Sequence, residues 1–68
     1  MIDTLKLKGK IVENGLTQAD VAKRLDITPK TFSEKMRKGV FLSNEIEEMI
    51  ELLSIDDPVS IFFASDVT

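Results

Sequence analysis

From Thr28 to Gly39 the chain reads TPKTFSEKMRKG, a short run that is rich in side chains able to meet a polyanion. Lys30, Lys35, Arg37 and Lys38 would neutralise phosphate oxygens. Lys30 and Ser33 are able to reach base edges. Lys pairs with guanine, and a carboxylate such as Glu34 accepts from cytosine, so the acid within the run is compatible with the same surface. The alternative for such a run is a solvated helix face that binds nothing.

Other chemistry is poorly supplied. The chain has no Cys and no His, which removes disulfides, thiol nucleophiles, the usual zinc sites and the commonest general base. Asp56-Asp57 reads as a turn and helix cap rather than a catalytic dyad, because no partner base or shaped pocket accompanies it. The expectation is a chain that is not an enzyme and uses no metal or cofactor and no small-molecule substrate.

The helix of this run must be held by very few apolar residues. Thr28-Pro29 is a strong start, a hydroxyl cap followed by proline at the first helical position, and Gly39 stops the helix. Only Phe32 and Met36, one turn apart, face a core. A second short helix precedes it, with Thr17 as its cap, Asp20 as the capping-box acid, and Val21, Ala22 and Leu25 as its inner stripe. Only Asp26-Ile27-Thr28 separates the two. Helices joined so closely must cross steeply, Ala22 is small where they approach, Asp26 takes a positive φ, and Ile27 plugs the turn.

The remaining elements read as support. Leu5, Leu7, Ile11 and Val12 predict an amphipathic helix from about Asp3 to Glu13, ended by Asn14-Gly15; Gly9 within it costs about 1 kcal/mol against Ala unless it admits a close helix contact. Val40-Phe41-Leu42 is an apolar connector expected against the body. Ser43 is expected to cap a fourth helix from Asn44 to about Leu53, with Ile46, Met49, Ile50 and Leu53 inside and Glu45, Glu47, Glu48 and Glu51 on an acidic outer face. Asp57-Pro58 starts a last segment, Val59, Ile61, Phe62 and Phe63, which is either a short helix or a strand.

At 68 residues the chain has room for one domain. The predicted architecture is all-α, a compact bundle of about five short helices, with the domain over residues 1–64, the helix-turn-helix over 17–39, and a flexible tail at 65–68. The net charge of −3 conceals a split: residues 1–39 hold all nine Lys and Arg with five acids, and residues 40–68 hold seven acids and no base. An electrically two-faced domain is expected. No apolar run approaches the roughly 20 residues of a membrane span, and MIDTLKLKGK lacks a leader's apolar middle, so the expected location is cytoplasmic.

Gln18-Ala19-Asp20-Val21-Ala22-Lys23-Arg24-Leu25-Asp26-Ile27-Thr28, followed by Thr31-Phe32-Ser33, resembles the helix-turn-helix of the Cro and repressor group of bacteriophage regulators. The likeness extends to Lys35-Met36, Gly39, Glu45-Ile46 and Ile61-Phe62-Phe63, nearly the whole chain. It implies a lambda-repressor-like bundle whose third helix enters the DNA major groove. By matching positions, Gln18 corresponds to the phosphate-binding residue at the helix end. Thr28, Pro29, Lys30, Ser33, Glu34 and Arg37 correspond to the outward positions of the recognition helix, and Ala22, Ile27 and Phe32 to buried ones. Asp26 departs from the usual Gly of the turn, and Pro29 from a frequently polar base-reading residue.

The resemblance implies a phage transcriptional regulator of a lysis/lysogeny-type switch in the cytoplasm of a bacterial host, binding double-stranded operator DNA. Thr17, Gln18, Thr28, Pro29, Lys30, Ser33, Glu34, Arg37 and Lys38 are the candidate contact residues. The second reading is an antirepressor that binds the DNA-binding domain of a partner phage repressor, with its acids complementing that basic surface. A homodimer is compatible with symmetric half-sites, with Phe62 and Phe63 either as its contacts or as the closure of a monomer core.

Overall fold

The computed structural model describes residues 2–63, and the segment 65–68 expected as a tail lies outside them. These residues form five helices, α1 (Thr4–Glu13), α2 (Gln18–Arg24), α3 (Pro29–Lys38), α4 (Ser43–Leu52) and α5 (Pro58–Phe62), with no strand among them. The last segment is therefore a helix. No helix of the described residues is long and apolar enough to cross a membrane.

Local capping chemistry sets the helix starts. Asp3, Thr17, Thr28 and Asp57 each accept a hydrogen bond from a backbone N–H in the first turn they precede. α4 departs from expectation. Leu42, not Ser43, is its N-cap, and the Glu45 carboxylate accepts the Leu42 N–H at 2.8 Å. This is half of a capping box, formed without a hydroxyl at the cap.

The helix ends follow one pattern. After α1, α2, α3 and α4 a residue with positive φ reverses the chain: Gly15 (72°), Asp26 (62°), Gly39 (72°) and Ser54 (50°). In each case the next residue, Leu16, Ile27, Val40 or Ile55, donates its N–H five residues back, to Ile11, Ala22, Lys35 and Ile50 respectively. These are Schellman closures, which satisfy the orphan carbonyls of a helix end. Asp26 takes the left-handed conformation that glycine adopts without steric cost.

The core joins all five helices: Ile2, Leu7 and Ile11 from the α1 region, Val21 and Ala22 from α2, Phe32 and Met36 from α3, Phe41 from the connector, Met49 and Leu53 from α4, then Ile55, Ile61 and Phe62. Phe32 is fully buried and meets Phe41 with ring centroids 5.5 Å apart at 52°. Hydrogen bonds to backbone carbonyls also connect distant parts of the chain. The Asp3 N–H donates to the Ile61 carbonyl at 2.7 Å, and the Asn14 side-chain amide donates to the carbonyls of Lys10 (2.8 Å) and Leu53 (3.1 Å).

Several expected core residues are not in it. Leu5 and Val12 are 78% and 73% exposed, because α1 turns the Leu7 and Ile11 stripe inward and a single helix edge cannot bury both. Val40 and Leu42 point outward while Phe41 alone is buried. Gly9 makes no close contact, since a Cβ there would meet nothing within 4 Å. In α5, Ile61 and Phe62 are buried and Val59 is exposed, as is Phe63 just after it, so Phe62 closes the core and is not free for a dimer contact.

Candidate nucleic-acid interface

α2 and α3 form the helix-turn-helix, and the turn between them is built by the chain itself. The Ala22 carbonyl takes the Ile27 N–H at 3.0 Å, the Lys23 carbonyl takes the Asp26 N–H at 3.1 Å, and Ile27 packs on the core. Thr28 then caps α3: its hydroxyl oxygen accepts the Thr31 N–H at 3.1 Å and lies 3.0 Å from the Thr31 hydroxyl. At the start of α2 the capping box is complete. Asp20 N–H donates to the Thr17 hydroxyl at 3.1 Å, and Thr17 N–H donates to the Asp20 carboxylate at 2.8 Å. The Thr17 hydrogen bonds, aided less by Lys23, hold the Asp20 carboxyl below its ordinary range.

All nine candidate residues, Thr17, Gln18, Thr28, Pro29, Lys30, Ser33, Glu34, Arg37 and Lys38, are exposed. They are not equivalent. The hydroxyls of Thr17 and Thr28 are engaged in capping, so these two shape the helix starts that carry Gln18 and Pro29. Lys30, Arg37 and Lys38 take part in no ion pair among the described residues, and they project from α3 opposite Phe32 and Met36. Shallow depressions flank them. One, of about 520 Å³, lies over the turn between Ala19, Lys23, Asp26, Ile27, Thr28 and Pro29; another, of about 300 Å³, runs along Thr31, Glu34, Lys35, Lys38 and Val40.

In comparisons with known proteins, no family model, no curated protein and no solved structure matches this chain.

Lys35 does not belong with the unpaired cations of α3. Its ammonium is 3.1 Å from the Glu45 carboxylate, and the two side chains are only 24% and 5% exposed. The same carboxylate oxygen accepts the Leu42 N–H, so one buried acid ties α3 to the start of α4. Glu45 is therefore buried between α3 and α4, not on the outer face where its helical spacing predicts it. Its signal was present in the sequence, three residues after Leu42, but a serine in the intervening position is the more familiar cap.

The acidic face of α4 is further reduced by Arg24. Its Nε lies 3.1 Å from Glu48, and its guanidinium reaches Glu51 at 3.7 Å. Of the four α4 acids expected to face solvent together, Glu47 alone has no ion pair among the described residues. The charge halves of the sequence thus interlock at α4 instead of forming two clean faces. Lys23, exposed and unpaired among the described residues beside the depression over the turn, is a further cation next to the candidate interface, outside the nine candidate residues.

Proposed function

We propose that the chain is a phage transcriptional regulator of a lysis/lysogeny-type switch that binds operator DNA, with α3 in the major groove and α2 lying across the backbone. The phage setting and the bacterial cytoplasm rest on the resemblance to the Cro and repressor group. The groove-binding role is carried by one observation: Lys30, Arg37 and Lys38 are exposed and unpaired among the described residues on the outward side of α3, whereas Lys35 and Arg24 are held in ion pairs. A helix anchored by Phe32 and Met36, with unpaired cations opposite, suits a partner carrying phosphates.

The antirepressor reading needs an acidic surface to complement a repressor's basic one, and the ion pairs at Glu45, Glu48 and Glu51 leave less of that surface on α4. The two readings separate in a fluorescence-anisotropy titration of regulatory DNA from the genome that carries the gene, with and without its repressor. Direct, saturable binding is expected, with affinity falling against log[salt] at about −0.9 per phosphate contacted. The double substitution Lys30→Ala with Arg37→Ala should abolish it without changing the melting temperature. Absence of saturable binding, together with dissolution of the repressor–operator complex, would replace operator binding by antagonism.

A further inference from the structure

On the operator-binding reading, we propose that Glu34 is the principal specificity-determining residue, and that it selects a cytosine in the major groove. α3 buries Phe32 and Met36, and Glu34 lies midway between them in sequence. At about 100° per residue this places it roughly 180° from the buried edge, on the crest of the exposed face. Lys30 precedes it by one turn, and Arg37 and Lys38 follow it by one turn, all within reach of an ion pair on a helix surface. None forms: the ion pairs among the described residues involve Lys10, Arg24 and Lys35 as cations. The crest of the reading helix is an unengaged carboxylate ringed by three unengaged cations.

Such a carboxylate is hostile to most of what a major groove offers. Guanine presents O6 and N7, thymine presents O4, and adenine sets N7 beside its amino group; each puts an acceptor lone pair before the negative charge. Cytosine alone presents an amino donor with no acceptor next to it. Glu34 therefore acts largely by exclusion, tolerated at cytosine and repelled elsewhere. Lys30 and Arg37 offset the surrounding phosphates and donate to guanine O6 and N7 on the same or the neighbouring pair. The operator half-site should centre on a cytosine with guanine contacts beside it.

The test is selection of binding sites from randomised duplexes by the wild-type protein, Glu34→Ala and Glu34→Gln, followed by titration of the selected duplex carrying N4-methylcytosine. That methyl group replaces the groove-facing N–H while leaving base pairing in place. Wild type should prefer cytosine at one position by about tenfold and lose about tenfold in affinity on N4-methylation. Glu34→Ala should flatten that position and ignore the methyl group. Glu34→Gln should move the preference to adenine, which an amide reads through N6 and N7. Retention of the cytosine preference and the methyl sensitivity by Glu34→Ala overturns the assignment and leaves operator binding standing. A flattened position that is not cytosine also overturns it. Failure of the wild type to select any sequence overturns both.

Discussion

Replacing Lys35 with Met keeps an unbranched apolar stem and removes only the ammonium. The Glu45 carboxylate, 5% exposed, would then retain one hydrogen bond, from Leu42 N–H. Breaking a buried ion pair from one side costs about 3–5 kcal/mol, and the 24% exposure of Lys35 admits some solvent, so about 2 kcal/mol is expected. For a domain of this size that lowers the melting temperature by roughly 8–16 °C. Thermal unfolding followed by circular dichroism measures it. A companion Lys35→Met, Glu45→Met double variant should recover about 1 kcal/mol, because no charge is left stranded and only the Leu42 bond is lost. Salt-dependent DNA titration under conditions where Lys35→Met is folded should show the wild-type slope, whereas Arg37→Ala should make the slope shallower by about 0.9 with an unchanged melt. An unaltered melting temperature for Lys35→Met, or a slope reduced by one phosphate, would refute the assignment of Lys35 to structure.

Phe32→Ala should cost about 3–5 kcal/mol, most of what so small a domain holds, since the ring is fully buried against Phe41; an unchanged melt would mean that α3 faces the other way. Asp26→Gly should stabilise the protein by about 1 kcal/mol, read by denaturant unfolding, because glycine accepts φ of 62° freely; a loss of stability would show that the Asp side chain has a role in the turn. Because Thr17 holds the folded Asp20 carboxyl below its ordinary range, its contribution is present above that range and disappears as pH falls through the lowered value. The melting-temperature difference between wild type and Asp20→Asn should be constant at neutral pH and shrink in acid; a difference that grows as pH falls would contradict the capping box.

Much of the fold was legible because its punctuation is local. Thr17, Thr28-Pro29, Gly39 and Asp57-Pro58 state where helices begin and end without reference to anything distant, and the positive φ of Asp26 followed from the length of the turn. What failed was the choice of face. In α1, Leu5 and Val12 recur seven residues apart and Leu7 and Ile11 four apart, two stripes with the same helical period, and only packing against the other helices decides between them. Glu45 failed for a related reason. A one-residue shift of the cap turned an outer acid into the capping acid of α4, and its burial depends on Lys35, which lies on another helix. The candidate interface was legible as a set of exposed positions. The division of its cations into paired and unpaired was not, since Lys35 and Arg24 find their acids on α4, beyond the reach of any local pattern.

The four Schellman closures have a kinetic consequence. Each fixes the direction in which the next segment departs through bonds spanning five residues, so most of the topology is decided before distant parts of the chain meet. The Asp3–Ile61, Asn14–Leu53 and Arg24–Glu48 hydrogen bonds, with the core they accompany, require distant parts of the chain to find each other. Chains dominated by such short-range decisions fold in microseconds to milliseconds. Here the helix-turn-helix should form early and the docking of α5 on α1 last, so a nascent chain would present α3 almost as soon as its own turn is made.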